Sequence, residues 1–371
     1  MIHWRRATVL RVIREWQGAV ELEVGLPADG AAESLRALAY PALVGRPEPG
    51  DDVLVNVGAL VRELGTGGYA PVVAVPGRLP PDPGPDGHLV KARYTPLQAV
   101  VAGADEQGSP HHELLRDADS VAGMPVVTAD LHSALPAVCL AAAADRPGVR
   151  VAFVMTDGGA LPAWFSRTVD GLRAAGLLAG TVSTGQSFGG DLECVSLHSG
   201  LLAARLVLGA DLAIVAPGPG NLGTGTRWGF SGVAAGDAVN AAAVLGGRPV
   251  ASLRISSADR RERHRGVSHH SLTAYGRVAL AGADVPVPEL PGAFGDRVRE
   301  QCAALPDRHR LVPVGLAGLM EVLAASPVPL SSMGRDLATD PECFLAAAAA
   351  GRHAVNLLEP GPGQDGAAGS P

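Results

Sequence analysis

An α/β protein is predicted from three features of the sequence: a mostly parallel, Rossmann-like sheet with helices on both faces, preceded by a small antiparallel β-barrel-like domain. From about residue 88 onward, short β-branched runs alternate with Ala-rich helical stretches, the rhythm of a covered parallel sheet. The first 80 residues instead alternate apolar with polar positions between Gly, Pro and Asp turns, as half-buried strands do. In the stretch 210–232 a strand-like run, Leu212 to Val215, opens into a loop with Gly218, Gly220, Gly223, Gly225 and Gly229 before an Ala-rich helix. Bare backbone N–H groups can converge on an anion in such a strand–loop–helix turn. The glycine spacing matches neither a Walker loop nor a dinucleotide fingerprint, so it marks a place without naming a ligand.

The elements follow in order. Residues 1–78 are read as the small β-domain, with strands at 8–13, 20–24, 40–44, 52–57 and 69–75. Its Gly-rich turn Leu64-Gly-Thr-Gly-Gly-Tyr is either a hairpin turn or a contact loop. Residues 79–87, rich in Pro and Gly, are a stiff linker. The α/β domain spans 88–359, with strands at 125–128, 149–155, 180–183, 212–215, 250–256 and 311–314. Helices are expected at 133–144, 161–175, 194–208, 233–245, 268–280, 293–304 and 316–325. The tail 360–371 has the composition of a disordered segment.

Composition narrows the class. A hydrophobic content of 47% against 18% charged residues indicates a well-buried globular chain. No apolar run has membrane-spanning length and no signal core follows Met1, so a cytoplasmic protein without a membrane partner is expected. A net charge of −7 and 4% aromatics argue against a nucleic-acid partner. The four scattered cysteines read as buried free thiols. Lys91 is the sole lysine, which is either chance in an Arg-rich chain or a position that needs a compact ammonium.

In open parallel sheets ligands bind beyond the carboxyl ends of the strands. Five polar loops are placed there. They carry Asp130 and His132; Asp157; Gln186, Ser187, Asp191 and Glu193; the Gly-rich loop; and the run from Arg260 to Thr273 with Arg261, Arg263, Arg265, His269 and His270. Each has a bland reading as a helix cap, a tight turn or a solvated basic loop. Together they predict a crevice for a small anionic molecule, phosphorylated or carboxylated. Gly220, Asn221, Gly223, Thr224, Gly225 and Thr226 form its cradle, and Arg265, His270 and Lys91 bind the ligand beside it. If the ligand is also transformed, His269 or His132 moves protons and Asp157 orients substrate or base. A metal held by Asp130, His132 and His269 stays a lesser alternative, because no metal motif of fixed spacing occurs and adjacent helical histidines point about 100° apart. No cofactor is indicated, and a homo-oligomer is left open. The competing class is a non-catalytic regulatory or scaffolding protein acting through its N-terminal β-domain.

Several segments carry a resemblance. Gly50-Asp-Asp-Val-Leu-Val-Asn, Leu64-Gly-Thr-Gly-Gly-Tyr, Gly87-His-Leu-Val-Lys-Ala-Arg-Tyr-Thr-Pro-Leu-Gln, Leu131-His-Ser-Ala-Leu-Pro and Gly266-Val-Ser-His-His-Ser-Leu-Thr together resemble the bacterial family DUF3866, a domain of unknown function. The family favours Ile-Met where this chain has Leu89-Val90. The resemblance implies that the motif around Lys91, Arg93 and Tyr94 is a family feature, and it transfers no catalytic residue.

Overall fold

The computed structural model describes residues 2–27, 34–82, 84 and 87–358. The expected tail and part of the expected linker lie outside the described residues. Five strands, β1 (Trp4–Trp16), β2 (Ala19–Gly25), β3 (Ser34–Ala39), β4 (Asp52–Asn56) and β5 (Ala70–Ala74), close into a barrel in the order β1-β2-β3-β5-β4. All its pairings are antiparallel except β3 with β5. Alternate residues such as Leu22, Val24, Val53, Val55 and Val72 fill its interior. Residues 40–44 are not the expected strand. Pro41 stands at the first position of a short helix, α1 (Pro41–Val44), where its fixed φ and missing N–H cost nothing.

A hairpin of β6 (Leu89–Lys91) and β7 (Ala99–Val101) and the short α2 (His112–Leu115) lead into the second unit. Its strands are β8 (Pro125–Thr128), β9 (Val151–Thr156), β10 (Gly180–Ser183), β11 (Leu192–Glu193), β12 (Leu212–Pro217), β13 (Arg248–Ala251), β16 (Asp284–Pro288) and β17 (Arg310–Val314). They form one sheet in the order β11-β10-β9-β12-β8-β13-β16-β17, parallel throughout. Between β13 and β16 lie the hairpin β14 (Ile255–Ser256) with β15 (Gly266–Val267), then α7 (His269–Thr273), which runs into a π-helical turn at Ala274–Val278. The remaining helices are α3 (Leu135–Asp145), α4 (Arg167–Ala174), α5 (Leu197–Leu206), α6 (Ala234–Val244), α8 (Gly292–Cys302), α9 (Leu319–Ala324) and α10 (Pro341–Asn356), and a last small hairpin pairs β18 (Ser331–Ser332) with β19 (Arg335–Asp336).

The central strands are apolar on both faces because both are covered. Val151, Phe153 and Met155 of β9 enter one core with α3, α9 and α10, while Ala152 and Val154 enter a second core with α5 and α6. β12 divides in the same way, Leu212 and Ile214 on one side and Ala213 and Val215 on the other. The helix after β8 (α3) belongs to the first core and that after β12 (α6) contributes Ala238, Ala241 and Ala242 to the second. Adjacent strands whose connections leave to opposite faces create a switch point, and the ends of β8 and β12 form one.

Further departures from the sequence-based expectation lie in the sheet unit. β16 was not expected, because Pro286 and Pro288 argue against an interior strand. It is tolerated there because β16 meets β13 through one residue pair, Val250 with Asp284, so few ladder bonds are forfeited on that side. The expected strand 250–256 breaks after Ala251, and Ile255–Ser256 turns away to pair with Gly266–Val267. α10, an Ala-rich helix with Pro341 in its first turn, was also missed. The barrel docks on the loop after β9: Trp16 donates its indole N–H to the Trp164 carbonyl (2.6 Å), and Tyr69 meets Phe165 edge-on beside the turn at Gly67. No helix of the described residues is long and apolar enough to cross a membrane.

Candidate functional site

The loops leaving β8, β12 and β13 meet at one place. Asp130, two residues past β8, is buried with its Oδ2 3.4 Å from His270 Nδ1 and 4.0 Å from the Arg254 guanidinium. Arg254 is itself buried just past β13, with Nη2 3.8 Å from Asp259. His270 stacks flat on Phe230 at the end of the Gly-rich loop, centroids 3.8 Å apart and planes 4° apart. His264 and His269 complete the cluster, with all three imidazole centroids within 4.9 Å of one another. His269 and His270 thus converge although neighbours in a helix fan apart. They sit in the first turn of α7, and two rotatable side-chain bonds each are enough to close the angle.

Local structure explains this placement. Ser268 caps α7, its hydroxyl accepting the His270 N–H (3.1 Å) and lying 2.7 Å from His264 Nδ1. The β14–β15 hairpin folds 257–265 back toward the strand ends and is pinned by buried Asp340, which accepts from Ser256 Oγ (2.6 Å), Ser257 N (3.1 Å) and Arg335 Nε (2.8 Å). Gly232 abuts Asp130: a Cβ there would lie 2.8 Å from both the Asp130 Cβ and carbonyl, so any side chain would displace the carboxylate. The Asn221 amide reaches the Asp130 carbonyl (3.4 Å) from the Gly-rich loop.

Burial and neighbouring charges set the ionisation of this cluster. Burial, then the charges of Arg254 and Arg261, pushes the His264 imidazole down to about 3. Burial followed by His270 and Arg263 pushes His269 down to about 4. Burial opposes ionisation of Asp259, but hydrogen bonds from Arg261 overcome it and hold the carboxyl well below its usual range. Three buried polar atoms here have no hydrogen-bond partner: Asp130 Oδ2, Arg254 Nη2 and His269 Nε2. Buried polar groups are otherwise nearly always paired, so three orphans on adjoining strand ends mark a place built for something else.

The other residues singled out from sequence stand elsewhere. The Gly-rich loop is an exposed flap closed by its own bonds, Thr224 N to Gly229 O (2.7 Å) and Gly229 N to Thr226 Oγ1 (3.2 Å), with Gly223 bridged to Phe230. Those amides and hydroxyls therefore shape the flap's turn, and Arg263 rather than Arg265 lies against Gly225. Arg265 is exposed; its carbonyl accepts from Arg297 (3.3 Å). Gly220 and Asn221 border a cleft of about 290 Å³ shared with His132, Ser166 and Ser332. Both His132 ring nitrogens are engaged, at 3.2 Å from the Pro217 carbonyl and 2.7 Å from Ser166 Oγ, and burial lowers the ring to about 4. Asp157, exposed, accepts the Gln186 N–H (3.0 Å) in a second cleft beside Lys91.

Lys91 requires a correction. Its ammonium is 2% exposed and donates to the carbonyls of Gly185 (2.8 Å), Ser187 (3.0 Å) and Cys194 (3.0 Å). Three donors meet three acceptors, leaving none for a ligand. Lys91 staples the loop between β10 and β11. Glu193, 3.6 Å away, is pushed up to about 7, first by burial and against the opposing Gly189 N–H and Lys91 charge. A carboxyl raised from 4.5 supports the fold fully while protonated, and that support is lost as pH rises from 4.5 through about 7. The urea midpoint should therefore fall between pH 5 and 7.5, and Glu193→Gln should remove about 3 kcal/mol of that dependence. An unchanged slope in the variant would refute the assignment.

Sequence reasoning missed Arg254, His264, Asp259 and Phe230. Arg254 was hidden inside the over-long strand 250–256, although a lone buried-type Arg next to Asp- and His-bearing loops was the available signal.

The fold and the site define an α/β protein with a buried cluster of charged groups and imidazoles at the switch point of a parallel sheet. The chain belongs to the family described as protein of unknown function (DUF3866), whose model matches residues 36–351. No curated protein and no solved structure matches it.

Proposed function

We propose that this protein binds a small phosphorylated or carboxylated molecule in the crevice where β8, β12 and β13 end. The supporting observation is the convergence of Asp130 Oδ2, Arg254 Nη2 and His269 Nε2, none of which makes a hydrogen bond, in one buried cluster. A guanidinium whose Nη2 makes no hydrogen bond suits the oxygens of a phosphate or carboxylate. A carboxylate and imidazoles beside it would supply acceptors for the ligand's hydroxyls and groups able to move a proton. The flap at 222–231 would cover the bound molecule, since its base carries Asn221 and Phe230, which touch Asp130 and His270.

The test is unfolding temperature across sugar phosphates, nucleotides and dicarboxylates. A compound at a hundred times its Kd adds about 2.7 kcal/mol, a shift of several degrees. Gly223→Val leaves the fold room, because the nearest atom to a Cβ there is the Gly229 carbonyl at 3.9 Å. It should nevertheless abolish the shift by stiffening the flap with a β-branched residue, and Arg254→Lys should weaken it at least about tenfold through loss of the fork. A flat panel would overturn the reading; hits indifferent to Gly223→Val would remove the flap from it.

A further inference from the structure

We infer that His264, His269 and His270 form a binding site for one divalent transition ion of the zinc type, with Asp130 at its edge. The inference rests on the anion-binding reading and deepens it by naming what would hold the anion, and it adds one observation that reading does not use, the mutual spacing of three imidazoles. The ligand atoms of the three imidazoles lie within 4.8 Å of one another around a common space. Tetrahedral Zn–N bonds of about 2.0–2.1 Å set nitrogens about 3.4 Å apart, so each ring need move inward by less than about 1 Å.

The nitrogens are placed for this use. His264 Nδ1 is taken by Ser268 Oγ (2.7 Å), which leaves Nε2 as the free nitrogen of that ring. Metal-bound imidazoles usually have the second nitrogen fixed in this way. His269 Nε2 is buried with no hydrogen-bond partner. His270 is clamped against Phe230, with Nδ1 between Asp130 (3.4 Å) and Arg254 (3.4 Å). Imidazole-rich donor sets of this kind favour zinc over magnesium or calcium, which take oxygen ligands.

The nearby arginines do not exclude a cation. Asp130, Asp259 and Asp340 are matched by Arg254, Arg261 and Arg335 in one connected network, so the charges of those six groups cancel. A dication on three neutral imidazoles would then leave a surplus of positive charge beside Arg254. A phosphate or carboxylate completing the coordination sphere would balance it. Asp130 Oδ2, which makes no hydrogen bond, would orient a metal-bound water or ligand hydroxyl.

The experiment uses the untagged full chain after chelator treatment, titrated with Zn²⁺ and with Co²⁺. One equivalent should bind per chain, and Co²⁺ should give the visible absorption of a four- or five-coordinate centre. His264→Ala and His269→Ala should each weaken binding by more than about 100-fold, because disturbing outer-shell partners alone costs 10–100-fold. Exposed His198→Ala serves as the control that leaves it unchanged. Less than half an equivalent on the wild-type chain at 100 μM metal, a round-number test condition well above structural-site affinities, would overturn the site. So would unaltered affinity in folded His269→Ala. Running the anion panel in chelator and in metal separates the two readings. Anion shifts in chelator without stoichiometric metal would leave only the anion crevice, and stoichiometric metal with a flat panel would leave only the metal site.

Discussion

Replacing Lys91 by methionine should cost about 3–5 kcal/mol of folding free energy, among the largest losses available to a single side chain here. The substitution removes all three donors serving Gly185, Ser187 and Cys194, and it strands Glu193 in a buried position beside them. Buried carbonyls left without donors each cost about 1–3 kcal/mol. Lys91→Arg should fare little better, because a planar fork cannot cap three carbonyls that converge on one nitrogen. Urea unfolding of the two variants, with limited proteolysis to find the loosened segment, makes the check. Cleavage should appear first within 184–194, and a loss below about 1 kcal/mol would contradict the staple.

Asp340→Ala should cost a similar amount, about 3–5 kcal/mol. Asp340 is fully buried and is the common acceptor for Ser256, Ser257 and Arg335. Without it Arg335 keeps only its longer contact with Asp259 (3.3 Å), and the hairpin carrying Asp259 and His264 is left with the Ser257 Oγ–Glu342 bond (2.7 Å) to α10. The two variants differ in what else they change. Asp340→Ala should weaken any ligand of the His264–His269–His270 cluster, whereas Lys91→Met should leave that affinity intact under conditions where it remains folded. Equal effects of both on ligand affinity would mean that the hairpin is held by something other than Asp340.

The parallel sheet was legible because β9 and β12 are runs that only a doubly covered strand can afford to bury. The same rule failed at β16, where two prolines hid a strand whose thin pairing with β13 makes them harmless. Tyr40 to Val44 has strand-like residues, yet Pro41 opens a helical turn. Within the site, Asp130, His269 and His270 could be named because they sit just beyond strand ends or at a helix start. His264 could not, since its arrival depends on a hairpin whose closing pairs, Ile255 with Val267 and Ser256 with Gly266, carry no turn signature of their own. Lys91 was conspicuous as the sole lysine, but only its three carbonyl partners, about a hundred residues downstream, reveal that its work is structural.

The strand order has a consequence in time. β8 is the first strand of its sheet to be synthesised, yet its two neighbours are β12 and β13, which come after three intervening sheet strands and after four, respectively. Its ladder therefore closes only through contacts of long sequence separation, the kind that slow folding. On the ribosome β8 would wait with both edges open while β9, β10 and β11 pair among themselves, a state prone to mispairing and suited to chaperone capture. The crevice between β8 and β12 is accordingly among the last features to form, and a nascent chain that has not reached residue 270 carries none of its completed chemistry.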